Sequence, residues 1–331
     1  MRSGPHDAVF RLVLGDPENA ASQLSAVLPP GLVARMDLDR LALAPGSFVD
    51  TSLRWRHTDL LFTAPLDGRD ALVYVLVEHQ SSDDPLMAFR MLRYVVRIWD
   101  RYLDQNKHTK LARLPAVIPL VVYHQHDGCR WSSPTELTDL IDLDSTTVET
   151  MGEYLPRFRF LLDDLASIDE QALRARPVTP LVRLTLVLLK IATGSTQLAK
   201  ELREWADDLL AVRRGPGGFD YFVALVTYIQ RVGETPADEL LDLFASLGPD
   251  VKEAYMTTAE QLRAEGEAKG RTQGRVDALV QQLTLKFGPL DAAVLDTVYT
   301  ATSDQLEAWT ARVLTADTLD EVLHSSLGVS G

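Results

Sequence analysis

HTDLLFTAPLDGRDALVYVLVEHQ, residues 57–80, is the stretch from which the fold can be read. Two apolar runs rich in β-branched and aromatic residues flank a segment holding Pro65 and Asp67-Gly68. That pattern predicts a β-hairpin turning at Asp-Gly. A two-residue turn at Asp67 and Gly68 makes paired positions sum to 135, so Asp59 falls opposite Leu76 and diagonal to Glu78. Side chains alternate between the faces of a strand. Asp59, Glu78 and Gln80 therefore share one face. A register slip of one residue would separate them.

The hairpin interior is apolar on both faces, with Leu60, Phe62, Val73, Val75 and Val77 on one and Leu61, Tyr74 and Leu76 on the other. A sheet buried on both sides needs helices on both sides. Two carboxylates where the strands stop being apolar admit two readings. They are solvated strand ends, or they hold a hard divalent cation, which offsets their repulsion and takes oxygen ligands.

Upstream, HDAVFRLVL (His6 to Leu14) has helical spacing, with Val9, Phe10, Val13 and Leu14 on one side. Asp16 can cap a second helix that has Pro17 at its first position and stops before Pro29-Pro30-Gly31. Asp7 is either an additional acid for the hairpin site or an N-terminal helix acid favoured by the dipole. Ser47 to Arg54 alternates as a strand.

Downstream, Pro85 starts a helix to about Leu103, with Met87, Met91, Val95, Ile98 and Tyr102 as its buried stripe. Arg90, Arg93, Arg97 and Arg101 form a second stripe at spacings of three and four. It is either a solvated face with snorkelling arginines or a face for phosphate. PAVIPLVVY (Pro115 to Tyr123) is a buried strand. His124, His126 and Asp127 cluster after it in a loop with no further ligand at a recognised metal spacing, and Trp131 closes this portion.

Beyond residue 150 the spacing is helical throughout, over 155–165, 180–192, 197–212, 219–232 and 237–247. Lys252 to Phe287 reads as one long charged helical stretch with Gly266, Gly270 and Gly274 on one face, either a stripe that would let a second copy approach closely or simply a flexible connector. A small helical module ends the chain. The reading divides the chain into 1–131, an α/β core; 132–248, a helical extension; and 249–331, the long helix with its module.

The 331 residues suffice for a sizeable core, and 46% hydrophobic with 24% charged residues fits a globular protein. No apolar run reaches the roughly 18 residues of a membrane span; Arg183, Thr185 and Lys190 interrupt the best candidate. Pro5, His6 and Asp7 stand where a signal peptide would need apolar residues, and Cys129 is the sole cysteine. A cytoplasmic protein without a membrane partner is expected. The net charge of −14 argues against a nucleic-acid binder only as an average. Residues 1–131 hold 15 of the 33 Lys+Arg and 15 of the 47 Asp+Glu, which leaves 18 against 32 for residues 132–331. The whole deficit lies behind the α/β portion, whose arginine stripe can still meet phosphate.

In this order of elements, HDAVFRLVL, SFVDTSLRWRHTDLLF, YVLVEHQSSDDPLMAFRMLRY and LPAVIPLVVYH with Trp131 resemble the Rpn family of recombination-promoting nucleases, the YhgA-like putative transposases. The resemblance spans roughly residues 5–131. It implies a PD-(D/E)xK restriction-endonuclease-like core, a central mixed sheet flanked by helices, ahead of an all-helical C-terminal region. It also implies that Asp59 and Glu78 bind Mg²⁺ (or Mn²⁺), with the backbone carbonyl of His79 as a third ligand. Gln80 stands where the superfamily has lysine; an amide can position water but brings no charge to the phosphate. The expected activity is Mg²⁺-dependent endonucleolytic hydrolysis of DNA with little sequence specificity, Arg90, Arg93, Arg97 and Arg101 holding the backbone. The alternative is a catalytically weak or inactive nuclease-fold protein that binds DNA as a regulator. A homo-oligomer built through the C-terminal region is expected in either case.

Overall fold

The structure is a computed structural model; it describes residues 4–44, 60–78, 84–108, 113–125 and 128–324, with the backbone alone at 70 and 74–78. Five strands form one mixed sheet in the order β1 (Ala42–Leu43), β2 (Leu60–Leu66), β3 (Arg69–Glu78), β4 (Ala116–Tyr123), β5 (Leu161–Asp164). β1, β2 and β3 pair antiparallel, whereas β4 lies parallel to β3 and β5 parallel to β4. Asp67 and Gly68 have φ of 50° and 72°. Positive φ at both central residues is what a two-residue type I′ turn demands, and an Asp-Gly pair meets it at low cost. The turn sets the register: Leu60 faces Val75 and Phe62 faces Val73, pairs that sum to 135 as the sequence required.

Alternation along the strands divides the core. Leu60, Phe62, Val73, Leu120 and Val122 face α1 (Pro5–Leu14) and α2 (Pro17–Val27) and the later helices. Leu61, Leu72 and Val121 face Met87, Met91 and Ile98, one side of α4 (Met87–Gln105), while the short α3 (Pro30–Val33) leads out of α2. Helices on both faces are thus the consequence of strands apolar on both faces. Local caps fix where the first helices start. Asp16 accepts from the amides of Glu18 and Asn19 at 3.0 and 3.2 Å with Pro17 in the first turn, and Asp7 reaches back to the Gly4 amide at 3.3 Å. The strand expected over Ser47 to Arg54 falls outside the described residues; β1, two residues long, edges the sheet instead.

One expectation is overturned. Residues 155–165 are not helical and the part behind residue 131 is not all-helical, because Leu161–Asp164 supplies the fifth strand. Leu161 packs into one core and Leu162 into the other, so the dileucine serves both faces of the sheet. Four residues are too short to display a period, and Leu155 and Phe158 upstream imitate a helical spacing.

The remaining helices of the first unit are α5 (Ser145–Met151), α6 (Glu170–Ala175), α7 (Pro180–Ile191), α8 (Leu198–Leu202), α9 (Ala206–Arg214), α10 (Gly218–Val232) and α11 (Ala237–Ser246). The stretch read as a single helix over 197–212 is broken by a 3₁₀ turn at Arg203–Trp205, which buries Trp205. α1 packs against α7 and α10, so the N-terminal helix joins the later helices to the sheet. The chain divides into Met1–Thr258 and Ala259–Gly331; residues 1–131 and 132–248 fall in the same unit. α12 (Pro249–Phe287) runs through the division. Its Val251, Ala254 and Tyr255 belong to the first core. Its Val276, Leu279 and Leu283 belong to the second, with Val298, Leu306, Trp309 and Val322 from α13 (Ala292–Tyr299), α14 (Ser303–Arg312) and α15 (Leu319–His324). Gly266, Gly270 and Gly274 face open space within the chain. Among the described residues no helix is long and apolar enough to cross a membrane.

Candidate active site at the carboxyl ends of the parallel strands

β3, β4 and β5 run parallel and end together, which brings Glu78, Tyr123 and Asp164 to one edge of the sheet. In open sheets of this kind, ligands bind outside the carboxyl ends of parallel strands. Glu78 is the last residue of β3 and pairs with Tyr123. Its position is fixed by backbone pairing; Asp59, His79 and Gln80 lie outside the described residues. Asp59 directly precedes Leu60, the first residue of β2, whose partner is Val75.

The surroundings of this edge were not legible in the sequence. His124 follows β4, is 1% exposed, and its ring lies 5.3 Å from that of His6 in the first turn of α1. His6 Nδ1 and Tyr228 Oη of α10 share a hydrogen bond of 2.7 Å, and burial pushes the Tyr228 phenol well above its ordinary range, so it stays neutral. These contacts seat the start of α1, and with it Asp7, at the same end of the sheet as Glu78. Asp7 is half-buried and its described bond is the cap to Gly4. Tyr123 Oη donates to Gln125 Oε1, and its ring meets Trp131 edge-on at 5.1 Å, which in turn meets Phe160 at 5.9 Å. Trp131 therefore packs over the end of β4. His126 and Asp127, beside His124 in sequence, lie outside the described residues.

The acids of β5 already have structural partners. Asp163 is 3% exposed and receives Arg176 through both guanidinium nitrogens at 2.7 and 2.9 Å, and Gln23 Nε2 at 2.7 Å. Asp164 accepts from the amides of Trp131 and Ala166 at 3.1 and 3.0 Å. Among the described residues no three His, Cys, Asp or Glu side chains gather as a metal site.

The arginine stripe lies on α4, whose first turn follows the Glu78 end of β3. Arg90 Nη1 bonds Asp84 at 2.8 Å, and both side chains are mostly covered, so much of its charge is engaged locally. Arg93 is exposed and lies over the Phe89 ring at 5.9 Å. Arg97 Nη1 and Arg101 Nε are buried and have no hydrogen-bond partner among the described residues. The four do not form a uniform solvated face.

Residues 4–215 match the family described as "Putative transposase, YhgA-like". The chain is 32% identical over 263 residues to recombination-promoting nuclease RpnD of Escherichia coli O157:H7, covering 78% of this chain and 94% of that protein. It is 30% identical over 267 residues to recombination-promoting nuclease RpnA of Escherichia coli K12, covering 80% of this chain and 85% of that one. It is also 30% identical over 275 residues to a K12 protein described as inactive, the recombination-promoting nuclease-like RpnE, covering 82% and 86% of the two. No solved structure matches the chain. On the extent of these matches, the chain belongs to the family of YhgA-like putative transposases that includes the recombination-promoting nucleases.

Proposed function

We propose that the protein is a Mg²⁺-dependent DNA endonuclease of the PD-(D/E)xK type, with Asp59 and Glu78 as its metal-binding acids. The observation that carries this reading is the hairpin register. Leu60 lies opposite Val75, and the same register carried on by one residue would bring Asp59 diagonal to Glu78. Two carboxylates and the His79 carbonyl make an all-oxygen donor set, which suits Mg²⁺. When bound, the cation would neutralise charge on the scissile phosphate and lower the pKa of a coordinated water. Gln80 then orients the attacking water through its amide. Arg93, which is exposed, and the half-buried Arg97 and Arg101 hold backbone phosphates without reading bases. Plasmid nicking with Mg²⁺, Mn²⁺, Ca²⁺ and EDTA tests the reading; it is lost if no divalent ion supports cleavage above the EDTA control.

A second reading, a nuclease fold that binds DNA with little or no cutting, is favoured by two observations. Gln80 lacks the charge of lysine, and one relative is described as inactive. Unimpaired DNA binding without nicking would select it.

The arginine helix carries its own prediction. Alanine at Arg93, Arg97 and Arg101 lowers the slope of log K against log salt on duplex DNA by about 0.9 for each phosphate that is no longer neutralised. Arg90→Ala shifts the slope less, since Asp84 already occupies that guanidinium. An unchanged slope in the triple variant returns these residues to an ordinary helix surface.

The C-terminal unit is proposed to assemble chains and to restrain non-specific DNA binding. Residues 259–331 hold 6 Lys+Arg against 11 Asp+Glu, and the glycine stripe of α12 is open to a second helix. A chain ending at Thr258 keeps Val251, Ala254 and Tyr255 in the first core. It is expected to have a smaller assembly mass and to bind DNA more tightly at low salt, a difference that fades as ionic strength shortens the screening length to about 10 Å and below. Light scattering and salt-titrated binding check both parts; equal mass and equal low-salt affinity would remove the proposal.

A further inference from the structure

A cleft of about 550 Å³ opens at the end of the sheet opposite Glu78, where β3 begins and β4 follows α4. Arg35, Arg69 and Arg113 line it, with Asp67 as the acid among its described lining residues. Asp67 is already engaged. Arg35 Nε donates to it at 2.9 Å, and its carboxyl is held below the usual range by that hydrogen bond first, with Arg69 adding to the pull. Arg69 and Arg113 are exposed, and neither has an ion pair among the described residues. Two positive charges thus remain for an anion.

The rest of the lining is not that of a plain anion site. Tyr102, half-buried near the end of α4, and Leu114, which is 45% exposed, supply an aromatic and an apolar wall. The wall is held in place: Trp99 Nε1 donates to the Pro115 carbonyl at 2.9 Å, and the Asp67 amide to the Arg35 carbonyl at 3.0 Å. Guanidinium groups beside an aromatic ring and aliphatic side chains match one chemical unit, a phosphate attached to a sugar and base with an exposed face. In a duplex those faces are stacked inward, and only phosphate would meet the cleft.

We propose that this cleft binds an unpaired nucleotide, its phosphate on Arg69 and Arg113 and its base or sugar against Tyr102 and Leu114. β3 separates the cleft from Glu78 by seven to nine residues, or roughly 25 Å at about 3.3 Å per residue. That is about seven nucleotides of a strand that keeps the stacked rise of about 3.4 Å, and fewer of an extended one. A strand cut at the carboxyl edge would thus have a single-stranded portion anchored at the opposite edge. The anchoring role rests on the nuclease reading above, whereas nucleotide binding by the cleft does not.

The test is done in EDTA on the full chain, so cleavage plays no part. A labelled single strand of about 12 nucleotides is titrated by fluorescence anisotropy against the parent, Arg69→Glu/Arg113→Glu, Arg113→Glu and Tyr102→Ala. The double charge reversal is expected to weaken binding at least about ten-fold and to lower the single-strand salt slope by about 1.4, two phosphates at about 0.7 each. Tyr102→Ala weakens binding with the slope unchanged. A blunt duplex loses less affinity than the single strand. Deoxyadenosine monophosphate is the second arm. Competition sensitive to the same variants shows that the cleft accepts a free nucleotide; no competition at millimolar levels shows that it needs the strand, and either agrees with the nucleotide chemistry. Equal losses on duplex and single strand would overturn the unpaired-nucleotide assignment. Unchanged single-strand affinity in the double variant would overturn the site. If the double variant does not fold, Arg113→Glu, which lies ahead of β4, decides alone. Plasmid nicking by Glu78→Ala at the parental rate would defeat the placing of the cut at Glu78, and with it the anchoring role, and leave nucleotide binding by the cleft standing.

Discussion

Glu78→Ala and Asp59→Ala are each expected to reduce divalent-dependent DNA cleavage at least about a thousand-fold, equivalent to about 4 kcal/mol of transition-state stabilisation. In the proposed site each substitution removes one of two carboxylates, leaving one acid and a neutral carbonyl. The remaining charge is then too small to hold a hard cation beside a phosphate at physiological concentrations. Stability is expected to move the other way. Two carboxylates brought together in the proposed site would repel in the absence of metal, so either variant is expected to melt at the parental temperature or slightly above it. The pairing of a lost activity with an undiminished melting temperature separates a ligand from a structural acid. Glu78→Gln sharpens the test, because it keeps the shape and the hydrogen bonds of the side chain but not its charge. Cleavage at the parental rate by both alanine variants would mean the acids are solvated strand ends.

The largest stability loss is expected at Asp163. Its carboxylate takes Arg176 at 2.7 and 2.9 Å and Gln23 at 2.7 Å, so it ties β5 to α2 and to the chain leaving α6. Arg176 is itself only 12% exposed. Asp163→Ala would leave a guanidinium and an amide buried without their acceptor, a cost of about 3–5 kcal/mol. For a unit of this size that is roughly 6–20 °C in melting temperature. Asp163→Asn should fall in between, since it keeps an acceptor but loses the charge. Replacing the pair together, Asp163→Leu with Arg176→Met, should recover much of the loss, because no unpaired charge is then buried. Urea unfolding of the four proteins decides the matter. A loss below about 1 kcal/mol for Asp163→Ala would show that water reaches the pair and screens it.

These two expectations were not equally visible in the sequence. The hairpin was, since an Asp-Gly turn sets its register through backbone torsions of two residues, and everything within a few residues of it follows from alternation. The first two helices were visible for the same reason: their caps, Asp16 with Pro17 and Asp7 with Gly4, are made by neighbours in the chain. The Asp163 pair was not, because Gln23 stands 140 residues away and Asp163 lies in a stretch that imitates a helix. A strand of four residues has no period to reveal; it exists because β4 offers it an edge.

By itself, then, the sequence determined the turn, the register of the hairpin, its two apolar faces and the arginine positions on α4. These are local properties, governed by torsions, caps and side-chain periodicity over at most a few turns. Tertiary structure decided which distant groups meet: His6 with His124 and Tyr228 at one edge of the sheet, and Arg35 with Arg69 and Arg113 at the other. It also decided that α12 gives its first apolar residues to one core and its later ones to another, although a continuous helix shows no break between Tyr255 and Val276. Such meetings depend on packing between elements far apart in the chain. Any helix or strand with an apolar stripe can pack in several ways, and only closure of the whole core selects one.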